Sequence, residues 1–200
     1  SQLVPIDSIT KGLPLLYINH FGLSPAESAA AEKALANKAT HILIFEAEMP
    51  AVGYRVYSAR RVGAGSNGAG SMSSVTHPPK SKEPFVVSND VYTATFDGET
   101  GMMTSLKNEI SNVETDLSLQ WGWYNSSVGG CTAGVPKDEA CDDQSSGAYI
   151  FRPNTSTVWP CGAEPPKTEL VRGDLVTEVR QVYSDWASHV IRFYTGLPVV

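Results

Sequence analysis

Four aromatic side chains, Trp121, Trp123, Tyr124 and Tyr149, have the types and spacing that suit a sugar ligand. An indole or phenol face fits the C–H-rich face of a sugar ring, and its polar tip reaches hydroxyls. Trp121 and Trp123 share one face of an alternating stretch, Leu117 to Trp123, which equally suits the core of a sandwich, and the alternation favours core. Tyr149 follows Gly147-Ala148, small residues that leave a ring room to project, and spacing does not decide between core and site. Other chemistries lack their patterns. No HExxH, GxSxG or P-loop occurs, and the Gly63–Gly70 stretch is not followed by Lys-Ser/Thr. His20, His41, His77 and His189 are scattered and read as surface or strand residues. Glycoside hydrolysis needs two converging carboxylates. No pair here is forced together, and Asp142-Asp143 sits in a loop.

Three cysteines show no CxxC spacing and no neighbouring His, which argues against zinc held by them. Cys131 and Cys141 flank a short loop and are the economical disulfide pair in an oxidising compartment, while Cys161 stands alone. Asn125-Ser126-Ser127 and Asn154-Thr155-Ser156 are N-glycosylation sequons. Sequons and a loop disulfide together favour a secretory or lysosomal route over the cytosol. The net charge of −6 and the absence of a basic cluster beyond Arg60-Arg61 exclude a nucleic-acid partner. No apolar run approaches the roughly 20 residues of a membrane span. Ser1 to Asp7 has no Met, basic region or apolar region, so it reads as an internal cut rather than a signal peptide.

The elements that must position these residues read mostly as strands. Seventeen Gly and thirteen Pro suit many turns. Ser24, Pro25 and Glu27 form a helix start with a capping box, opening an Ala-rich helix with little to bury. Ile42–Phe45 and Val52–Tyr57 read as strands. Gly63 to Lys82 reads as a flexible linker. Val91–Phe96 and Met102–Leu106 flank a turn at Asp97-Gly98 and read as a hairpin, and Leu175–Tyr183 and His189–Tyr194 alternate again. The expected class is all-β, an antiparallel β-sandwich. Its parts are the end of a small β domain over 1–62, with a helical insertion at about 24–38, a linker over 63–84, and the first part of a large β-sandwich over 85–200.

Ser146-Gly147-Ala148-Tyr149-Ile150-Phe151-Arg152-Pro153-Asn154 resembles the S-G-A-Y-I-F-R-P-N segment of the lysosomal-type acid α-mannosidases, glycoside hydrolase family 38. Trp123–Gly129, Phe96–Gly101, Met49–Tyr54, Glu178-Val179 with Trp186 to Tyr194, and Ser1–Pro5 are similar to family segments in the same order. The resemblance implies a fragment from the β domains that follow the catalytic barrel, including the front of a galactose-mutarotase-like supersandwich. It implies zinc, an Asp nucleophile and an acid/base carboxylate, all carried by that preceding barrel and none by this chain. It implies that Tyr149 hydrogen-bonds the terminal mannose and that Asn125 carries a glycan; Asn154 is a sequon the family does not generally keep. The implied partners are the remaining chains or domains of the same mannosidase and mannose-containing oligosaccharides, in a homo-oligomer located in the lysosome or vacuole or secreted. The loop bounded by Cys131 and Cys141 is longer than the family's, and the Ala-rich helix and Gly/Ser stretch are additions. The rival reading is a free-standing carbohydrate-binding or structural module using the Trp121, Trp123 and Tyr124 face.

Overall fold

A computed structural model describes residues 1–6, 24, 26–27, 29–30, 40–60, 71–78, 81–127, 146–149, 151–162 and 165–197. These form two compact units, Ser1–Ser118 with Glu164–Val200, and Leu119–Ala163. The strands of the first unit are β1 (Gln2–Pro5), β2 (His41–Ile44), β3 (Ser71–Met72), β4 (Ser74–Thr76), β5 (Phe85–Ser88), β6 (Tyr92–Phe96), β7 (Met103–Asn108) and β8 (Val113–Asp116). Two short strands, β9 (Gly122–Trp123) and β10 (Trp159–Pro160), belong to the second unit. The chain then returns to the first with β11 (Lys167–Arg172), β12 (Val176–Val182) and β13 (Ser188–Tyr194). The described residues are therefore nearly all-β and almost wholly antiparallel, as the alternation predicts.

The first unit is built around the sheet β13-β12-β11-β4. Strand β12 is buried along most of its length, so it needs partners on both faces. On one face Val171 and Val176 cluster with Val4 of β1, beneath Ile44 and Tyr194. Here lies the sheet β2-β1-β3, in which β1 pairs antiparallel with β2 and parallel with β3. On the other face Gln181 donates to the Gly101 carbonyl at 2.6 Å, and the Tyr183 hydroxyl approaches the Met102 sulfur. These residues belong to the meander β5-β6-β7-β8, whose Val87, Ala94 and Phe96 are fully buried and whose Phe85 and Phe96 rings stack across strands at 5.0 Å. Burying a side chain of the size of Phe96 contributes about 1.5–3 kcal/mol.

The β6–β7 hairpin follows from its turn chemistry. The Asp97 carboxylate accepts hydrogen bonds from the Glu99 and Thr100 amides and from the Thr100 hydroxyl. Those bonds, the Thr100 hydroxyl first, hold the Asp97 carboxyl below its ordinary range. Gly98 is required because a Cβ there would collide with the Ser81 and Glu83 carbonyls, and Gly101 because its φ is +70°.

The large buried polar side chains Gln2, Glu178 and Arg180 of this unit are paired, whereas the Ser71, Thr168 and Ser184 hydroxyls are buried without a hydrogen-bond partner among the described residues. Glu178 and Arg180 share one face of β12, and Arg192 lies directly across on β13. Arg180 Nε donates to Glu178 Oε2 at 2.8 Å and Arg192 Nε to Oε1 at 2.7 Å, so each carboxylate oxygen holds one guanidinium. Hydrogen bonding to Glu178 raises the Arg192 pKa. Arg180 also donates to the Pro5 carbonyl, tying β12 to β1. The Gln2 amide, fully buried, donates to Ser73 Oγ and the Val176 carbonyl and accepts from the Leu175 and Val176 amides.

Several expectations need correction. Within the stretch read as a linker, Ser71–Met72 joins β1 and Ser74–Thr76 joins β11, so backbone pairing rather than apolar content orders it. Val52–Tyr57 alternates but forms no strand, and Val52, Tyr54 and Val56 are all largely exposed. Of the stretch Leu117–Trp123, only Gly122–Trp123 is strand. The capping box forms as predicted, with Ser24 N and Oγ both donating to Glu27 Oε2, and Ala26, Glu27, Ala29 and Ala30 are helical; the rest of the helix expected over 24–38 lies outside the described residues.

Candidate functional site

The described residues of the second unit hold a two-stranded ribbon. Its strand β9 pairs antiparallel with β10, Trp123 opposite Trp159, and Cys161 donates its amide to the Trp121 carbonyl at 3.2 Å. Further along the ribbon Ser126 bridges Pro153, held by Asn154 N–H to Asn125 C=O at 2.9 Å and Ser127 N–H to Arg152 C=O at 2.8 Å. Among the described residues of this unit the two strands form a sheet of their own, and a two-stranded ribbon covers little of its side-chain surface. Trp121 and Trp123 are accordingly 45% and 38% exposed. This corrects the sandwich-core expectation for both, and Tyr124 is comparably open.

The exposed rings form pairs. Trp123 and Trp159 lie 6.3 Å apart and tilted by 31°, and Tyr124 meets Phe151 edge-on at 5.4 Å. Both distances fall within the range of favourable aromatic contacts. Sequence reasoning missed Trp159 as a member of this surface; only the cross-strand register brings it to Trp123.

Tyr149 sits where the ribbon's connecting segment returns. Ser146 donates its amide to the Ser127 carbonyl, and Arg152 donates its amide to Ser146 Oγ at 3.2 Å. The second bond closes the 146–152 segment on itself, while Ser146 N–H to Ser127 C=O and Ser127 N–H to Arg152 C=O tie its two ends to the Ser127 leg of the ribbon. Between them the Tyr149 side chain is 101% exposed. A Cβ on Gly147 would meet open space, so steric room is not what Gly147 supplies. The core reading of Tyr149 is therefore excluded within this chain, and the phenol is available as one donor and one acceptor.

Asn125 and Asn154 are both exposed on this ribbon. Cys131 and Cys141, the expected disulfide, lie outside the described residues. Cys161 is a buried free thiol. Among the described residues no three His, Cys, Asp or Glu side chains converge as a metal would require. A groove of about 430 Å³ lies elsewhere, on the β6–β8 sheet of the first unit, lined by Tyr92, Leu106, Val113 and Leu117 with the Asn108 amide. It offers no carboxylate or imidazole. The aromatic ribbon can thus contact a ring-shaped, hydroxylated ligand, and the described residues give it no acid–base pair.

Comparison with known proteins agrees with that chemistry. The glycosyl hydrolases family 38 C-terminal domain matches residues 87–200. The lysosomal α-mannosidase of Mus musculus is 37% identical over 154 residues, 77% of this chain and 14% of that protein. The lysosomal α-mannosidase of Homo sapiens is 34% identical over 155 residues, with the same coverage of each chain. An α-mannosidase of Canavalia ensiformis is 28% identical over 151 residues, 76% of this chain and 14% of that protein. The sequence thus spans about one seventh of the length of these relatives.

Proposed function

This chain belongs to the glycosyl hydrolases family 38, and from that premise we propose that it is part of a retaining, zinc-dependent α-mannosidase. That enzyme hydrolyses terminal α-D-mannose of N-glycan-derived oligosaccharides in the lysosome or vacuole, or as a secreted protein. This chain supplies a β-domain wall and one substrate-binding residue, Tyr149. The carrying observation is the fully exposed Tyr149 ring on a segment whose two ends, Ser146 and Arg152, are both bonded to Ser127. A phenol held on such a segment exchanges hydrogen bonds with a sugar hydroxyl and has little side-chain freedom to lose. Its role is to bind and orient the terminal sugar.

The described residues hold no side-chain cluster that fits zinc. In this reading the metal, the nucleophile and the acid/base carboxylate come from a barrel elsewhere in a longer chain. Retention of configuration requires those two carboxyl groups to stand about 5 Å apart.

The test is Tyr149→Phe in the full-length enzyme. Leaving a sugar hydroxyl unpaired costs about 1–3 kcal/mol, or roughly five- to 150-fold in kcat/KM on an α-mannoside. Unchanged kinetics remove Tyr149 from the site. A second reading, a carbohydrate-binding face without catalysis, is favoured by the open Trp121, Trp123 and Tyr124 rings. It expects Trp123→Ala to weaken oligosaccharide binding while α-mannoside turnover is absent from the native protein.

A further inference from the structure

The two sequons are far apart in sequence but meet in the fold. Ser126 opposes Pro153, which places Asn125 directly opposite Asn154, and the Asn154 N–H to Asn125 C=O bond at 2.9 Å fixes that register. Directly opposed residues of an antiparallel pair project to the same face, with Cα atoms about 5.5 Å apart. Two positions earlier on the Asn125 strand, hence on the same face of an extended chain, stands Trp123, itself opposite Trp159. Both asparagines and both indoles are exposed.

We propose that Asn125 and Asn154 form one shared N-glycan seat, floored by Trp123 and Trp159, in which a glycan on one asparagine excludes a glycan on the other in the folded chain. The inference rests on the secretory routing in the reading above and not on mannosidase activity. Attachment joins the asparagine amide nitrogen to the anomeric carbon of an oligosaccharide carried on a polyisoprenoid pyrophosphate. The new N–C1 bond replaces the C1–O bond, the pyrophosphate leaves with its electron pair, and the amide nitrogen loses one proton. The first sugar is an N-acetylated pyranose. Flat rings can stand against one another across the roughly 4.8 Å between paired strands, as Trp123 and Trp159 do, but two puckered, N-acetylated pyranoses with their onward branches crowd one another on opposed residues. One ring can lie over the tilted indole pair, with its C–H face on the aromatic faces.

The asparagines become available in order during synthesis, Asn125 first. A chain glycosylated at both positions cannot close the Asn125–Asn154 rung without crowding, so the folded population carries one glycan at this place. The aromatic floor also gives the exposed indoles an occupant supplied by the chain itself.

The experiment uses the full-length chain, expressed through the secretory pathway of a eukaryotic host and purified folded. Enzymatic release of glycans in ¹⁸O-water followed by peptide mass spectrometry reads the occupancy at each asparagine. The expected result is that the two fractions sum to about one, with Asn125 predominating. Asn125→Gln should raise Asn154 occupancy several-fold, and Ser127→Ala should do the same with Asn125 still in place. Hydroxyl-radical oxidation of Trp123 and Trp159 should rise several-fold when both sequons are removed. A summed occupancy well above one, Asn154 occupancy unmoved by both variants, or indole oxidation indifferent to the glycan overturns the proposal. Turnover of an α-mannoside on the same preparations reports separately on the enzymatic reading.

Discussion

The two compact units treat polarity in opposite ways. The larger unit takes polar groups inside and pairs them: Glu178 between Arg180 and Arg192, Gln2 with four partners. The ribbon unit does the reverse and leaves Trp121, Trp123, Trp159, Phe151 and Tyr149 open to solvent. A buried charge is tolerable only when its partners are built in, and removing one strands the others at high cost. Exposed rings contribute little to folding and are free to meet a ligand. The contrast separates residues that hold the chain together from residues that can recognise something.

Substitutions can break or sharpen that division. The largest effect should come from Glu178→Ala, which leaves Arg180 buried without its carboxylate. A loss of about 3–5 kcal/mol is expected, seen as a lower unfolding midpoint of the full-length protein. Gln2→Ala should follow at about 1–3 kcal/mol, because the Leu175 and Val176 amides lose their acceptor. If either variant unfolds no earlier than the parent, the paired interior is not what stabilises this unit.

Acidification should act next, through His189 and Asp97. Burial depresses the His189 pKa, so the unfolded chain takes up its proton first. The stability it contributes is complete above the ordinary histidine range and is lost as pH falls through its lowered value. Asp97, also depressed, contributes above the ordinary aspartate range and loses that contribution as pH falls toward its own lowered value. A pH series of melting temperatures should therefore show one decline starting near pH 6.5 and another starting near pH 4. His189→Gln should flatten the first and Asp97→Asn the second. At the small end stands Tyr149→Phe, which should leave the melting temperature within error whatever it does to turnover, since the ring touches solvent alone.

Much of the larger unit was legible because its strands carry the period of a half-buried sheet. Val91–Phe96 and Met102–Leu106 alternate around an Asp-Gly turn and fold as read, and Leu175–Tyr183 becomes β12. Its polar anchors were not legible. Nothing in the string of residues separates Gln2 or Glu178 from surface polar residues, because burial of such groups is decided by partners far along the chain. Val52–Tyr57 and Trp121–Trp123 show the converse error. An alternating pattern says which residues would share a face and not whether another layer covers that face. The candidate site was half visible: Tyr149 stood out beside Gly147-Ala148, while Trp159 needed the ribbon's register to meet Trp123.

The Gln2 side chain has one further consequence, for manufacture. Its carbonyl acceptor on Val176 lies 174 positions downstream. At about 5–20 residues per second, a ribosome takes roughly 10–35 s to make that distance. Through that interval the Gln2 side chain can reach Ser73 but lacks its Leu175 and Val176 partners, and β1 lacks the layer that buries it. Slowed translation between the two segments, or depletion of chaperones, is where yield of this protein should suffer first.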